Sequence, residues 1–303
     1  SMQVDGAAAQ RTLLVFAGVG GAAMLLGLAD DRYSPTIAVK LAGQIACASV
    51  FVWLSGPLAS IPVPFAGTVF LGDISILLTM FWIVAFMNAF NFMDGANGVA
   101  ATTGIIAAGV LAIAAASFGA LAEATAALML AFAIAGFLRE NFPHGRLFMG
   151  DAGSQFIGFA LAALGVSAAN ATAGALSALF APTLAMAFLF DVAFTLFHRA
   201  RRGAGVGAPH REHVYQLLMR GGASHVAVAA IYVALTALSV VASVWMLRLA
   251  PGAQWIAPAA LAAAFVYPAL KVYRNALDNG LLAANAVDRR EQDAPSPIAQ
   301  AAE

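Results

Sequence analysis

Two adjacent carboxylates, Asp30 and Asp31, precede Lys40 by nine residues or more, and Gln44 follows one helical turn later inside the same apolar run. This set could bind a magnesium diphosphate, because the metal takes oxygen ligands and the ammonium takes a phosphate oxygen. Lys40 is expected about 7.5 Å along its helix, so its stem can reach back to the aspartates. An exposed turn with a helix-end lysine is the alternative, but it leaves two polar residues inside the apolar run unexplained.

A second polar string surrounds Asp94. Asn88 and Asn91 precede it at three-residue spacing and share one helical face. Asp94 is expected in a turn with the following glycine, and Asn97 as a helix cap. Capping does not explain the two upstream amides, which would be unsatisfied in an apolar medium. The string therefore predicts a polar cavity beside this helix.

A third string places Asp151 between Gly150 and Gly153, directly before another apolar run. The glycines let the backbone approach a ligand, and the helix that follows presents N–H groups that suit an anion. Because a carboxylate repels phosphate, Asp151 is expected to hold the metal that carries the phosphate. A simple helix cap is the alternative.

The fourth string begins with an arginine cluster and continues through His210, Arg211 and His213. Membrane orientation alone explains the arginines, but not the histidine rings, which suit phosphate and sugar contacts. No zinc site is expected, because the chain has one cysteine and no His-Glu-x-x-His string. Asp191 and His198, two turns apart, are expected to pair with each other.

Composition limits the class of protein that carries these strings. Of 303 residues, 62% are hydrophobic and 10% are charged, where a soluble domain has about 25% charged residues. A formal net charge of zero leaves no basic surface for nucleic acid. The single cysteine, Cys47, lies in an apolar run and is expected to pack as a small hydrophobe.

Apolar stretches of about 18 to 25 residues can each cross a hydrocarbon layer. We predict an all-α fold, a polytopic membrane bundle of about nine transmembrane helices with its site at the cytoplasmic face. The segment 55–73 is expected to form a small hairpin or interfacial loop. The nine predicted spans are residues 12–29, 37–54, 74–91, 98–118, 121–139, 155–170, 174–197, 224–249 and 255–273.

Alternate threading of these spans separates the basic residues strongly. Only Arg11 and Arg248 fall on one side. The positive-inside rule then places the N-terminus outside and the C-terminus in the cytoplasm. The thirteen basic residues on the other side are Arg32, Lys40, Arg139, Arg146, Arg199, Arg201, Arg202, Arg211, Arg220, Lys271, Arg274, Arg289 and Arg290.

In this order, the four strings resemble the polyprenyl-phosphate N-acetylhexosamine-1-phosphate transferase superfamily, glycosyltransferase family 4, over about residues 26–220. The segment 209–216 is more similar to the bacterial branch that initiates O-antigen and other surface polysaccharides than to peptidoglycan-type members, which carry a histidine cluster there. The resemblance implies Mg²⁺-dependent transfer of a sugar 1-phosphate from a UDP-N-acetylhexosamine, carrying GlcNAc or a deoxy derivative, to undecaprenyl phosphate, releasing UMP.

The resemblance also implies a role for each polar group. Mg²⁺ is the expected metal, with Mn²⁺ as an alternative. Asp30 and Asp31 are expected to activate the acceptor or support the metal, and Asp151 is expected to be catalytic as well as a ligand. The remaining roles are the metal for Asp151 and Asn91, phosphates for Lys40 and Arg211, the nucleotide or sugar pocket for Asn88, Asp94 and Asn97, and the donor diphosphate or sugar for His210 and His213.

The implied setting is the bacterial inner membrane, with membrane lipid and a second copy of the chain as partners. Residues 12–287 are expected to be the transferase domain, between an external tail, 1–11, and a disordered cytoplasmic tail, 288–303. Family members of this branch usually begin with two further spans, so we expect the chain to be N-terminally shortened and weakly active. The first span would then expose a face meant for helix packing to lipid or to a partner chain, and its small residues Gly18, Gly20, Gly21 and Ala22 suggest close packing there.

Three alternatives stay open. A CDP-alcohol phosphotransferase would continue its Asp-Gly string to further aspartates, whereas no acid follows Asp94 until Glu123. A transporter would place its ionisable site near the bilayer midplane, whereas these acids collect at one surface. A peptidoglycan-type phospho-MurNAc-pentapeptide transferase keeps the same chemistry with a different sugar.

Overall fold

The computed structural model describes residues 6–205 and 210–282, which form eleven α-helices, one 3₁₀ helix and one β-hairpin. The predicted disordered tail, 288–303, lies outside these residues. The elements are α1 Gly6–Tyr33, α2 Ile37–Ser55, β1 Ser60–Val63, β2 Gly67–Phe70, α3 Ile74–Phe92, α4 Val99–Ser117, α5 Leu121–Asn141, α6 Gly150–Ala171, α7 Phe180–Leu184, α8 Met186–Arg201, α9 Val214–Arg220, α10 His225–Met246, the 3₁₀ turn Pro251–Ala253 and α11 Ile256–Asp278.

Eight helices of the described ranges are long and apolar enough to cross a membrane: α1 to α6, α10 and α11. The predicted all-α polytopic fold is therefore confirmed. Helix α1 begins at Gly6, inside the segment predicted as a tail, and its last turn carries Asp30 and Asp31. Helix α6 begins at Gly150, so Asp151 lies in its first turn.

The predicted span 174–197 is wrong as one helix. The chain turns at Ala173 and Gly174, which have φ angles of 50° and 84°. Helix α7 then has only five residues and contains Pro182, which has no N–H to donate to the preceding turn. Ala185 separates α7 from α8. One interrupted segment thus replaces the seventh predicted span, which leaves eight of the nine.

The β-hairpin marks one end of the bundle, as the segment 55–73 predicted. Ser60 pairs with Phe70 in an antiparallel register. The Trp255 indole N–H donates to the Pro62 carbonyl oxygen at 2.6 Å, and the Asn170 side chain accepts the Ala59 N–H at 2.9 Å. The ends of α1, α3, α5 and α8 lie at the opposite end, so the chain alternates between two ends.

Helix α6 is the centre of the bundle. In its apolar stretch of 18 residues, 78% of the residues are buried, against 22% in the corresponding stretch of α1. Two glycines bring its backbone against its neighbours. A Cβ at Gly27 of α1 would lie 2.2 Å from the Asp151 carbonyl oxygen, and one at Gly158 would lie 2.4 Å from the Phe86 carbonyl oxygen of α3. Helices α1, α3 and α6 therefore touch through backbone.

Candidate active site

One ammonium joins three helices at the end of the bundle opposite the hairpin. Lys40 Nζ lies 2.6 Å from Asp30 Oδ1 and 3.7 Å from Asp151 Oδ2. The predicted reach of Lys40 back along α2 is thus confirmed. Asp30 is 4% exposed, whereas the Lys40 and Asp151 side chains are 35% and 29% exposed. A ligand can therefore reach Lys40 and Asp151 more easily than Asp30.

Asp31 has a different position from its neighbour. Its two carboxylate oxygens accept the backbone N–H groups of Asp151 and Ala152 at 2.9 and 3.1 Å. Gly150 permits this approach, because its φ is 63° and a Cβ there would lie 2.7 Å from Asp31 Oδ2. The N–H groups predicted to bind an external anion are thus occupied by Asp31, which caps α6.

A chain of amides crosses the interior beneath the lysine. Gln155 Nε2 donates to Asp30 Oδ2 at 3.5 Å, and Gln44 Nε2 donates to Gln155 Oε1 at 3.2 Å. Asn88 Nδ2 donates to Gln44 Oε1 at 2.7 Å. The predicted polar surroundings of Asn88 are therefore present. The motifs do not predict Gln155; the only sequence signal is an amide in the first turns of an apolar helix.

Asn91 and Asp94 lie on the same side as Asp151. Asn91 Nδ2 donates to Ser154 Oγ at 3.2 Å. Burial, and then the charges of Asp151 and Asp31, raise the pKa of Asp94 to about 8. Asp94 therefore keeps its proton at neutral pH and can donate a hydrogen bond, which an ionised carboxylate cannot do.

Asn97 lies away from these groups. Its Nδ2 donates to the Pro143 carbonyl oxygen at 3.3 Å, and its backbone N–H donates to His225 Nδ1 at 3.1 Å. Gly98, the next residue, donates its N–H to Asn141 Oδ1 at 2.7 Å. The structure thus places Asn97 in the packing between α4, α5 and α10, and does not bring it to the predicted pocket.

The opposite wall is held by Asp191 of α8. Its Oδ1 lies 3.2 Å from His213 Nδ1 and accepts the Val214 N–H at 2.9 Å. Its Oδ2 accepts from the Tyr215 N–H at 3.2 Å and from the Tyr232 hydroxyl. The predicted pairing of Asp191 with His198 is therefore wrong; on its own helix Asp191 accepts from the Thr195 hydroxyl, at 3.1 Å.

His198, the expected partner of Asp191, packs among aromatic rings instead. Its ring centroid lies 4.4 Å from those of Phe194 and Tyr273. Asp191 lies on the α9 and α10 side of the same helix and His198 on the α11 side. Helical spacing alone could not distinguish these two surroundings.

An ion pair ties the end of α8 to the loop before α9. Arg199 Nη1 lies 2.8 Å from Glu212 Oε1, and Arg202 also pairs with Glu212. Arg199 Nη2 donates to the Gly205 carbonyl oxygen at 2.7 Å. Arg199 and Glu212 are 4% and 3% exposed. Arg199 therefore has a structural role in addition to the membrane-orientation role that the sequence predicts for it.

Tyr215 joins the two walls. Its hydroxyl donates to the Phe92 carbonyl oxygen at 2.9 Å and accepts from Gln216 Nε2 at 3.1 Å. A Cβ at Gly95 would lie 2.0 Å from this hydroxyl, so the approach requires glycine there. The end of α3 and the start of α9 are therefore in direct contact.

Between the walls lies a cavity of about 490 Å³. It brings together most of the predicted site residues with several that the motifs did not predict. Asp151 does not line the cavity itself but lies 3.7 Å from the Lys40 ammonium, which does. A larger groove of about 870 Å³ lies beside α1 and α2, but apart from Gln10, Arg11 and Cys47 its lining is apolar. The polar residues that line the smaller cavity are Asp30, Lys40, Gln44, Asn88, Asn91, Asp94, Gln155, His210, Arg211, His213, Tyr215 and Gln216.

His210 is neutral in this cavity. Burial, and then the neighbouring His213 and Arg199, lower the pKa of His210 to about 3. Its buried Nδ1 has no hydrogen-bond partner among the described residues. A neutral imidazole offers one donor and one acceptor nitrogen, so His210 is available to a ligand as a polar contact without charge.

The donor set fits a metal that is shared with a substrate. No group of three or more His, Cys, Asp or Glu side chains within 6–205 and 210–282 is arranged to hold an ion. Mg²⁺, however, is usually bound by one or two carboxylates together with substrate phosphates. The Asp151 carboxylate and the Asn91 side chain, whose Nδ2 donates to Ser154 three residues after Asp151, supply such a partial set.

Comparison with known proteins gives the same answer as the motifs. The model of the family described as Glycosyl transferase family 4 matches residues 13–169, just over half of the chain. The decaprenyl-phosphate N-acetylglucosaminephosphotransferase of Mycolicibacterium smegmatis is 36% identical over 230 residues, covering 68% of this chain and 56% of the relative. The probable undecaprenyl-phosphate N-acetylglucosaminyl 1-phosphate transferase of Bacillus subtilis is 30% identical over 203 residues, covering 67% and 57%.

A third relative comes from another branch. The phospho-N-acetylmuramoyl-pentapeptide-transferase of Staphylococcus carnosus is 32% identical over 169 residues, covering 51% of this chain and 52% of the relative. The chain thus spans between half and three fifths of the length of these three curated relatives. On the family match and the motifs together, the chain belongs to glycosyl transferase family 4, among the polyprenyl-phosphate hexosamine-1-phosphate transferases.

Proposed function

We propose that the chain transfers an N-acetylhexosamine 1-phosphate from a UDP-sugar to undecaprenyl phosphate, releasing UMP. The observation that carries the proposal is the Lys40 ammonium held between Asp30 and Asp151 at the edge of a cavity in a membrane bundle. The names of the M. smegmatis and B. subtilis relatives support the same class of acceptor and sugar.

The chemistry asks for charge neutralisation more than for a strong base. A phosphate monoester has a second pKa near 6, so the acceptor is largely a dianion at pH 7 and is already nucleophilic. The barrier is the meeting of two anions, which positioning and cationic groups lower. Lys40 can bind a phosphate oxygen, and Asp30 keeps its ammonium directed into the cavity.

Asp151 and Asn91 would hold Mg²⁺, or Mn²⁺ in its place, which neutralises phosphate charge when bound. Asp31 supports this arrangement indirectly, because it caps the first turn of α6 and so fixes the backbone of Asp151. Asp30 and Asp31 thus have separate tasks in the proposal, although they are adjacent in sequence.

The nucleotide sugar is expected between the walls. Arg211 supplies a cation for the diphosphate, and His210 and His213 supply ring nitrogens for the diphosphate or the sugar. Asp94, protonated at neutral pH, can donate its O–H to an anionic ligand without repelling it. Asn88 lines the same cavity.

The lipid acceptor has an apolar path to the same place. Ile37 and Leu41 of α2 line the cavity beside Lys40 and are 57% and 42% exposed, and Phe92 of α3 is 37% exposed. Apolar side chains that border a polar cavity at the end of a membrane bundle suit a substrate with a hydrocarbon chain and a phosphate head. A prenyl phosphate has this chemistry.

The decisive experiment measures UMP release by purified protein in detergent with undecaprenyl phosphate and Mg²⁺. UDP-GlcNAc, its deoxy derivatives and UDP-MurNAc-pentapeptide form the panel, since the S. carnosus relative favours the pentapeptide donor as second candidate. Release with an N-acetylhexosamine donor, lost on chelation, supports the proposal and initiation of a surface polysaccharide. Release only with the pentapeptide donor supports the second candidate, and no release with any donor rejects both.

Orientation in the bacterial inner membrane is part of the proposal. Alternate threading of the spans places thirteen of the fifteen basic residues at the cavity end of the bundle. This end is therefore expected to face the cytoplasm. In a Cys47→Ala background, an impermeant thiol reagent added to intact cells should label Ser60→Cys and leave His210→Cys unlabelled. Labelling at 210 and not at 60 would reverse the orientation.

A second copy of the chain is the remaining proposed partner. Gly18 and Gly21 of α1 face open space, whereas Gly20 packs on the Phe156 ring. Small residues permit close helix packing in lipid. Cross-linking between Gly21→Cys copies in membranes, absent for a cysteine at buried Ala23, would support this surface, and equal cross-linking at both positions would reject it.

A further inference from the structure

Asp191 is a buried acid that the proposed chemistry does not use. It is 1% exposed and lies in α8, outside the region of the family match. Among the described residues, four groups donate to it: the N–H groups of Val214 and Tyr215, the Tyr232 hydroxyl and the Thr195 hydroxyl; His213 Nδ1 lies 3.2 Å from its Oδ1. Such a concentration of donors on one side chain needs an explanation beyond burial.

We propose that Asp191 is a positioning residue that fixes the tautomer and the direction of the His213 ring, so that His213 Nε2 is the nitrogen presented to the substrate. Of the tests of this proposal, only the one that measures turnover rests on the proposed function. The tautomer itself can be measured in the protein without substrate.

The hydrogen-bond inventory assigns the proton. An ionised carboxylate accepts and cannot donate, and four other donors already satisfy Asp191 as a carboxylate. The 3.2 Å contact therefore places a hydrogen on His213 Nδ1. A carboxylate at one ring nitrogen is a recognised way to set which nitrogen is free for function.

Packing then fixes the direction of the ring. The Phe92 ring stacks on His213 with centroids 5.6 Å apart at 28°, and the His210 ring lies 5.0 Å away at 33°. His213 is 2% exposed, yet it lines the cavity. With Nδ1 committed to Asp191, Nε2 is the ring nitrogen that remains for a ligand.

The same carboxylate fixes the backbone that carries His213. The Val214 and Tyr215 N–H groups are in the first turn of α9, where no helical carbonyl precedes them. Gln216 Oε1 accepts the His213 N–H at 3.2 Å. Ring and backbone are thus held from one point on a neighbouring helix, which restricts both rotation and translation of the imidazole.

The first test is nitrogen NMR of protein labelled with [¹⁵N]histidine, compared between the parent chain and Asp191→Asn. We expect one His213 signal pair of the Nδ1–H form in the parent chain, assigned by its loss in His213→Ala. In Asp191→Asn the Nδ1–H form should lose its dominance. A dominant Nε2–H form in the parent chain, or an unchanged spectrum in Asp191→Asn, would overturn the proposal whether or not the chain turns over UDP-sugars.

The second test is a double-mutant cycle on turnover. Asp191→Asn should lower kcat by about 10- to 100-fold, the range seen when a second residue that orients a histidine is changed. In a His213→Ala background the same substitution should have little further effect. Equal effects in both backgrounds would show that Asp191 does not act through His213. The matched control is Thr195→Val, which removes one donor to Asp191 but no contact with α9, and should leave the His213 tautomer unchanged.

If Asp191→Asn does not fold, Tyr232→Phe provides the measurement, since it removes one donor to Asp191 and leaves the His213 contact. The Nδ1–H form should persist in Tyr232→Phe. Its loss there would mean that general packing, and not the carboxylate contact, sets the tautomer.

Discussion

The two walls of the cavity use their acids in opposite ways. On the wall of α1, α2, α3 and α6, Asp151 shares a lysine with Asp30 and is 29% exposed. On the wall of α8 and α9, Asp191 and Glu212 are 1% and 3% exposed, and protein groups satisfy both carboxylates. Acids that collect at one end of a membrane bundle are therefore not equivalent. Exposure separates groups that can meet a ligand from groups that hold the wall in place.

This difference has an energetic side. Charges that are partly exposed contribute little to folding and remain available for binding. Buried charges in a completed set are costly to break, because the remaining partner is left desolvated. Substitution of the partly exposed Asp151 should therefore change turnover with little change in stability, and substitution in the buried Arg199–Glu212 pair should change stability.

The largest effect is expected at Asp151. Asp151→Asn should lower turnover by at least about 100-fold, because it removes the proposed negative metal ligand from the charge-neutralising set. The thermal midpoint should stay within a few degrees, since the side chain holds little of the core. Near-normal turnover in a folded Asp151→Asn protein would remove this residue from the site.

Glu123→Gln is the matched control for that substitution. Glu123 is a buried acid in the first turn of α5, where it accepts from Ser167 Oγ at 2.7 Å. Glu123→Gln makes the same carboxylate-to-amide change outside the cavity, and the turnover of this variant should match that of the parent chain. A comparable loss in Glu123→Gln would show that any such change in the bundle disturbs the enzyme.

The second wall is tested at Glu212. Glu212→Ala leaves Arg199 buried without its ion pair and should lower the free energy of unfolding by about 3–5 kcal/mol. Chemical denaturation in detergent measures this loss. Arg199→Met combined with Glu212→Leu should recover part of it, because an apolar pair of similar volume avoids the desolvation cost. A double variant as unstable as Glu212→Ala would contradict this account.

Asp31 tests whether adjacent aspartates on the first wall differ. Asp31→Ala removes the cap of α6 and should cost about 0.5–2 kcal/mol of stability, whereas Asp31→Asn, which still accepts one N–H, should cost less. Turnover should also fall more in Asp31→Ala than in Asp31→Asn, since Asp151 lies in the capped turn. Equal stability for both variants and the parent chain would show that the cap contributes nothing.

The smallest effect is a pH dependence from Asp94. Its pKa rises from the usual 3.8 to about 8 on folding. Between these values the folded chain holds a proton that the unfolded chain has lost, so rising pH favours unfolding. The thermal midpoint should therefore fall from pH 5 to pH 8, and fall less in Asp94→Asn. A steeper fall in Asp94→Asn would exclude this carboxyl as the cause.

Sequence alone predicted most of the first wall. Each of its motifs combines a charged residue with a span boundary, and hydropathy locates the boundaries well. The convergence of Lys40, Asp30 and Asp151 followed from alternate threading of the spans. Even here the two aspartates were not distinguished, because the contact between Asp31 and the α6 backbone joins residues 120 apart in the chain.

The second wall could not be predicted in the same way. Asp191 looks like an isolated acid with a histidine on its own helix, and only the packing of α8 against α9 and α10 shows that His213 and Tyr232 are its partners. Asn97 fails for the reverse reason, because an asparagine beside a motif resembles a ligand or a helix cap. The N-cap of α4 is Gly98, and the Asn97 side chain donates to the Pro143 carbonyl oxygen instead. Pro182 was visible, but a proline near the start of a span does not by itself predict the break at Ala185.

The backbone contacts at Gly27 and Gly158 have a mechanical consequence. Helices α1, α3 and α6 cannot approach further, and any side chain at either glycine would separate them. The separation of the backbones that carry Asp30 and Asp151 is therefore set by main-chain contact. If the cavity changes width, the displacement must come from the α9 side; in the proposed reaction, the stiff half would then place one substrate and the α9 side would admit and release the other.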